Sequence, residues 1–300
     1  METTEKLVRK LGFNRVKLNE PMSSHTWIKV GGPADLYFEA ENEDDLTEAV
    51  GCAVEFGIPY TVIGLGANVL VSDKGIRGLV IVNKSNKIKF LPHNFVEVAS
   101  GCNIITLTRE AANRGLGGLE RLTKVPATVG GAIYMNAGDT GKSEFFGDLI
   151  VSIKVINKEG EPKKLFSEDA NFTYRTSRFQ SSGEVILSAK LKLLKMSKSE
   201  IDEKVKDILV RKTHHPAGPS VGSTFRNPPG ASAGALIDQC NLKGTLIGGA
   251  KISEQHANFI INTGNARAAD VKELINLMKV SVKEKFAIDL VEEVRYLGEW

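Results

Sequence analysis

Glycine placement constrains this chain more than any other feature of its sequence. Glycine supplies 29 of the 300 residues, above the roughly 7% usual in globular proteins, and it is clustered. Four glycines lie between Gly64 and Gly78, ten between Gly101 and Gly160, and seven between Gly218 and Gly249. Only Gly183 falls between residues 161 and 217. No G-x-y period links them, so a collagen-type helix is excluded. A residue without Cβ lets backbone amides come close to a ligand or to another strand. The clusters therefore read as loops built for close approach. The glycine-poor stretch reads as regular structure that holds the join between two domains.

The length predicts two domains of about 150 residues each. With 42% hydrophobic and 25% charged residues the chain can bury a full core. Its 39 basic and 36 acidic residues leave a net charge of +3, too little for the basic field that nucleic-acid binding needs. Cys52, Cys102 and Cys240 form no C-x-x-C pair, so neither a disulfide framework nor a zinc knuckle is expected. The first residues, METTEKLVRKLGFNRVKLNE, lack the apolar core of a signal peptide. No apolar run approaches the roughly 18 residues of a membrane span. The expected location is the cytoplasm, with neither nucleic acid nor membrane as partner.

Periodicity supplies the elements. Leu36–Phe38, Tyr60–Ile63, Leu79–Val82 and Phe95–Val98 read as strands, as do residues 149–157 and 185–194. Asn42, with Asp45 three residues on, caps a helix whose apolar positions are Leu46, Ala49, Val50, Ala53 and Val54. Ile105–Arg114 reads as a helix closed by Gly115, and Ser167-Glu168-Asp169 opens a short helix carrying Tyr174 and Arg175. Ser199 with Asp202 predicts the start of another helix, with Ile201, Val205, Ile208 and Leu209 on its face. Asp270 and Glu273 open a last helix lined by Val271, Leu274, Ile275, Met278 and Val282, before a final strand at Val294–Leu297. The architecture is α+β, with a first domain of residues 1–195, in two parts of about 1–85 and 86–195, and a second of 196–300.

Several segments carry possible chemistry. Gly64–Leu70, GLGANVL, follows a strand and suits an anion, but Val69 stands where a Rossmann fingerprint needs its third glycine, and no G-K-[ST] follows. A tight strand-to-loop turn is an equally good reading of it alone. Thr128–Gly138, TVGGAIYMNAG, is a second loop of small residues; two such loops favour a dinucleotide or flavin over a pair of plain turns. Tyr174–Arg178 places two arginines three apart, near one helical face, and arginine grips carboxylates bidentately. Ser223, in PSVGSTFRNPP, lies in no G-x-S-x-G elbow, so a hydrolase nucleophile is not indicated; a positioned hydroxyl can donate a proton. Alternation sends Glu292 and Glu293 to opposite faces, one toward a site and one toward water. His214-His215 is a weak metal signal, and His25, His93 and His256 show no ligand spacing, so no metal is expected.

Together these segments resemble the UDP-N-acetylenolpyruvoylglucosamine reductase (MurB) family. The resemblance spans nearly the whole chain and rests on VGGPAD, GLGANVLVSD, TVGGAIYMNAG, YRTSRF, PSVGSTFRNPPG, EQHANFIIN and EVRYLG in this order. It implies a two-part FAD-binding domain of the vanillyl-alcohol-oxidase (PCMH) type, followed by a smaller α+β substrate-binding domain. It implies FAD as cofactor, NADPH as co-substrate, and a UDP-sugar enolpyruvyl ether as the small-molecule substrate of a monomeric enzyme. By motif, Ser223 is the acid that protonates carbon, and Arg175 and Glu293 stabilise the enol-like intermediate. Gly64, Gly66, Ala67, Asn68, Thr128, Gly130, Gly131 and Asn136 are the implied cofactor contacts.

The short connection from YRTSRF into Val185–Leu194 resembles the type II form, in which Tyr134, Asn227 and Arg295 contact substrate. The chain departs from the family's usual pattern at Ala67 (usually Ser), Lys124 and Ala127 (usually Gly) and Arg226 (usually Lys). Two other readings compete: another FAD-dependent oxidase or dehydrogenase of the same flavin-domain type, and a non-catalytic nucleotide-binding module. The GSTFRNP and EVRYLG segments argue against the oxidase.

Overall fold

The computed structural model describes residues 2–139 and 144–300. The chain forms two compact units, each discontinuous in sequence. The first comprises Met1–Lys17, Tyr37–Gly64 and Gly78–Thr213, and the second Leu18–Leu36, Leu65–Arg77 and His214–Trp300. Each has its own apolar core.

The first unit opens on helix α1 (Glu2–Leu11), with Glu2 and Glu5 in its first turn, Arg9 and Lys10 in its last, and Gly12 (φ 96°) just past its end. Two buried residues, Leu7 and Leu11, hold it; so short a helix depends on packing and not on propensity. Helix α2 (Glu43–Glu55) begins where predicted, with Asn42 Oδ1 accepting the Asp45 N–H at 2.9 Å. It buries Leu46, Ala49, Val50 and Ala53. Strand Tyr60–Ile63 then runs parallel to Ile76–Asn83, in a sheet ordered Val16–Pro21, Pro33–Ala40, Ile76–Asn83, Tyr60–Ile63.

A second sheet of this unit is wholly antiparallel. Its order is Pro162–Phe166, Ile150–Ile156, Val185–Lys192, Phe95–Ala99, Ile88–Leu91. Val96, Val98, Ile153 and Leu191 from its strands share a core with Leu107 of helix α3 (Ile104–Ala112) and Ile133 of helix α4 (Val129–Tyr134). Helix α4 lies inside the TVGGAIYMNAG segment, which had read as loop. Thr128 caps it, its hydroxyl accepting the Gly131 N–H at 3.2 Å.

Helix α5 (Lys198–Arg211) starts one turn-step earlier than expected. The cap is Ser197, not Ser199. Ser197 Oγ accepts the Glu200 N–H, and the Glu200 carboxylate accepts the Ser197 N–H at 2.7 Å. This reciprocal box needs an acid three residues after the cap; Ser197–Glu200 and Ser199–Asp202 both offer that spacing, and the first pair forms it. Of the expected face, Ile201 and Ile208 are buried and Leu209 is exposed. Beyond α5, Lys212 Nζ donates to the Arg121 carbonyl (3.0 Å) and Lys124 Nζ to the Lys212 carbonyl (3.3 Å). Lys124, where the family pattern usually has glycine, thus ties the end of α5 to the first unit.

The second unit contains helices α6 (Ala233–Gln239) and α7 (Ala268–Phe286). Val271, Leu274, Ile275, Met278 and Val282 of α7 are all fully buried, as their spacing predicted. The N-terminus of α7 meets two acids. Asp270 accepts the Arg267 N–H at 2.9 Å, and Asp73 accepts the N–H groups of Ala268 (2.9 Å) and Ala269 (3.0 Å). Carboxylates at a helix start satisfy its unpaired donors and its dipole. An antiparallel sheet ordered Ser220–Ser223, Phe259–Asn262, Ala250–Ile252, Leu246–Ile247 completes the core. The last strand, Arg295–Leu297, runs parallel to Val69–Val71. No described helix is long and apolar enough to cross a membrane.

Candidate active site

In the second unit the expected acid and one expected stabiliser are held side by side by main-chain bonds. Gly222, at φ 71°, turns the strand just before Ser223. An L side chain is strained in that conformation. Room is no constraint, since the Ala67 carbonyl lies 3.8 Å from where a Cβ would be, an ordinary contact. Ser223 is half-buried, and its hydroxyl makes no hydrogen bond to another described residue. Thr224, which follows, is fully buried. Its N–H donates to the Asn258 carbonyl and its own carbonyl accepts the Glu293 N–H, both at 2.8 Å.

Asn258 also clamps the next residue. Its Oδ1 accepts the Phe225 N–H (2.9 Å) and its Nδ2 donates to the Phe225 carbonyl (2.8 Å). On the other side Asn68 Nδ2 donates to the Glu293 carbonyl at 3.0 Å, and the Asn68 carbonyl accepts the Arg295 N–H at 3.0 Å. The second unit thus gathers Ala67, Asn68, Ser223, Glu293 and Arg295. Adjacent carboxylates have different fates here. Glu292 pairs with Lys279 at 2.8 Å, and burial, followed by the charge of Glu292, raises the Tyr296 hydroxyl pKa. Asn227, on an exposed turn, accepts the Ala233 N–H at 3.0 Å and so helps to start α6.

In the first unit Arg175 does not lie on a helix. The 3-10 turn Ser167–Ala170 ends at Asn171, which is left-handed (φ 49°). Arg175 then sits at φ 55° in a tight turn between bridged Thr173 and Thr176. The two arginines share no helical face: Arg178 opens a separate 3-10 turn and pairs with Glu184 at 2.9 Å. Arg175 Nη2 donates to the Gly138 carbonyl at 3.2 Å.

Gln180, which the sequence did not mark, joins this turn to Tyr134. Its Nε2 donates to the Arg175 carbonyl (3.0 Å) and to the Tyr134 carbonyl (2.9 Å). Ser177 Oγ donates to the same Tyr134 carbonyl at 2.8 Å. Tyr134 and Arg175, two residues expected at the site, are therefore linked through one amide, with Ser177 a second hold on Tyr134.

Whether the glycine loops fit a flavin is decided by their backbones. A Cβ on Gly64 would lie 2.4 Å from Thr128 Oγ1, so only glycine lets the end of strand Tyr60–Ile63 meet the start of α4. Exposed Gly131 has only that hydroxyl near its missing side chain, 3.4 Å from an ideal Cβ, leaving an open backbone face. Gly130 lies against Ser100, and buried Thr128 serves as the cap of α4, so the open glycine face is at Gly131. Asn136 serves otherwise. It is buried, donating to the Thr173 carbonyl and accepting the Gly147 N–H, both at 2.9 Å. Asn136 and Asn68 thus act on neighbouring backbone through their side chains.

A cavity lies elsewhere. It occupies about 450 Å³ of the second unit, lined by Ser72, Asp73, Lys74, Arg267, Lys272 and Trp300 among others. It contains none of the expected site residues, and the chemistry described above does not depend on it. His214, His215 and His256 come together in the same unit, although His256 lies 41 residues beyond His215 by numbering (256 − 215). His256 has a lowered pKa, chiefly from burial, then from His214 and Lys243.

Similarity to known proteins agrees with this geometry. Residues 34–165 match the FAD binding domain family model. Residues 214–297 match the model for the UDP-N-acetylenolpyruvoylglucosamine reductase C-terminal domain. The chain is 42% identical over 98% of its length, and 97% of the relative's, to the UDP-N-acetylenolpyruvoylglucosamine reductase of Alkaliphilus metalliredigens. The chain belongs to the UDP-N-acetylenolpyruvoylglucosamine reductase family.

A second relative with that name, from Lachnoclostridium phytofermentans, is 38% identical over 95% of the chain and 94% of its own length. The crystal structure of the Thermus caldophilus reductase (MurB) superposes with a TM-score of 0.81 at 34% identity, covering 94% of this chain and 98% of that one. The fold is that of the reductase family: a two-part FAD-binding domain of the vanillyl-alcohol-oxidase type and a smaller α+β domain. Residues that sequence reasoning missed, Gln180 and Asn258, act through main-chain groups 33 or more residues away in the case of Asn258. EQHANFIIN, which contains Asn258, had carried the family resemblance without a role.

Proposed function

We propose that this chain carries out its family's reaction: NADPH-dependent reduction of UDP-N-acetylglucosamine enolpyruvate to UDP-N-acetylmuramate, a step of peptidoglycan precursor synthesis. When bound, FAD supplies a two-electron relay that takes hydride from NADPH and gives it to the vinyl methylene carbon. The chain's own residues handle the charge and the proton. Hydride addition conjugate to a carboxylate builds negative charge on that carboxylate. The Arg175 guanidinium and the Glu293 carboxyl group are our assignment for holding it. Ser223 donates its hydroxyl proton to the carbon next to the carboxylate, which balances the reduction as one hydride and one proton.

The observation that carries this reading is the lock around Ser223. The Glu293 N–H bonds to Thr224, the residue after the serine, while Asn258 fixes Thr224 and Phe225. General acids work only when held in place, and the main chain that follows this serine is fixed at Thr224 and Phe225. Gly64, Gly66, Ala67, Thr128, Gly130 and Gly131 are assigned to FAD through backbone. Asn68 and Asn136 shape the loops, and Tyr134, Asn227 and Arg295 contact substrate. FAD is assigned to residues 1–195 and most substrate contacts to 196–300, with Tyr134 and Arg175 added from the first stretch, and the enzyme is assigned as a cytoplasmic monomer.

Ser223→Ala tests the assignment. Removing a general acid costs about 10²–10⁴-fold. The variant should be reduced by NADPH at the normal rate, while its substrate-driven reoxidation slows by that factor. Equal reoxidation rates would remove Ser223 from the role.

A further inference from the structure

Three imidazoles meet on the second unit in a place the reaction does not use. His214 and His215 follow α5, and His256 lies in the turn before strand Phe259–Asn262. One ring nitrogen from each lies within 4.8 Å of the others. We propose that His214, His215 and His256 form a site for one divalent first-row transition ion of the zinc type.

Two of the rings are already placed by packing. His256 rests on Gly234 of α6, where an ideal Cβ would come within 2.7 Å of Cε1. Any side chain there would push the ring out. Phe259 packs against both rings, with centroids 5.0 Å from His256 and 5.1 Å from His215. Such support is what fixes metal ligands in orientation.

The third ring, His214, is exposed and stacks on His256 at 5.1 Å, with 21° between planes. Tetrahedral zinc with Zn–N of about 2.0–2.1 Å holds its ligand nitrogens roughly 3.4 Å apart. His214, the exposed ring of the three, has the most room to turn toward that spacing. His256 Nδ1 accepts a 3.2 Å hydrogen bond from the Asn258 N–H. Ligation through Nε2 moves the ring proton to Nδ1 and exchanges that contact for the metal bond.

The donor set selects the ion. Three neutral imidazoles favour zinc, nickel or copper and disfavour magnesium or calcium, which take oxygen ligands. Three protein ligands leave a fourth position for water. Lys243 and Asp238, whose charges both act on His256, are paired with each other at 2.7 Å and largely cancel. A bound ion would tie the segment after α5 to the turn that carries Asn258, and so to the clamp on Phe225.

The FAD-loaded chain, dialysed against chelator, is titrated with ZnCl2 by calorimetry. The expected result is one equivalent bound, with affinity falling about tenfold or more in His214→Ala and His256→Asn. The same ion should raise the melting midpoint of the wild type and not of the doubly substituted His214→Ala/His215→Ala chain. His214 is exposed, so its substitution leaves folding intact and keeps the test decisive if the His256 variant does not fold. No saturable zinc binding, or binding that survives loss of His214 and His215, overturns the proposal. Either result leaves the reductase reading untouched, because substrate-driven flavin reoxidation is measured separately.

Discussion

At the scale of single residues, the site is built as much by silent amides as by reactive groups. Gln180 illustrates this. Its one Nε2 donates to the carbonyls of Arg175 and Tyr134, so its loss loosens the Arg175 turn while Ser177 Oγ still holds the Tyr134 carbonyl. Small displacements of positioning groups cost up to about 10²-fold in rate. Gln180→Ala should therefore lower kcat by up to about that factor and raise KM for the UDP-sugar, with the flavin spectrum unchanged. A variant with normal kcat and KM would show that the turn holds itself. Arg175 makes the same point in reverse. Its residue type was legible, because a developing carboxylate charge needs a bidentate cation. Its setting was not, because Arg175 adopts φ 55° in a turn where spacing alone predicted a helix.

At the scale of elements, period and cap chemistry carried most of what the sequence disclosed. All five apolar positions expected on α7 are buried, because a 3.6-residue stripe has one use in a packed domain. Asn42 and Asp45 marked the start of α2 for the same local reason. Where local signals compete, the reading slips. Ser197 and Ser199 each have an acid three residues on, and that spacing alone does not choose between them. Helix α1 carries matching charges at both ends and a closing Gly12, but only two buried residues to show a stripe. The hidden part of the site is non-local. Asn258 finds Phe225 33 residues away, and Asn68 finds Glu293 225 residues away, partners that no window of sequence contains. The α5 box gives a sharp check. Ser197→Ala should cost about 1 kcal/mol in denaturant unfolding, whereas Ser199→Ala should cost close to nothing. The opposite ranking would contradict the observed cap.

At the scale of the whole molecule, the glycine clusters prove to divide by task. Gly64 and the group around Gly131 give close backbone approach in the first unit, and Gly222 turns the strand at Ser223 in the second. A net charge of +3 leaves the anionic cofactor and substrate to a few placed groups and backbone donors. Buried titratable groups set the limits of stability. Burial pushes the Cys102 thiol up from 9.0 to about 11. The unfolded chain ionises this thiol first, so it holds fewer protons than the folded chain between those two values, and stability falls as pH rises through that window. The melting midpoint should decline from pH 9 to 11, less so in Cys102→Ala; parallel curves would assign the decline to other groups. The central claim is that a flavin passes electrons from NADPH to a UDP-sugar enolpyruvyl ether. The absorption spectrum of the purified chain tests it most directly. The account predicts a yellow protein, bleached by NADPH under anaerobic conditions and recoloured by UDP-N-acetylglucosamine enolpyruvate. A colour that NADPH does not bleach, or that returns equally without the enolpyruvyl substrate, would contradict it.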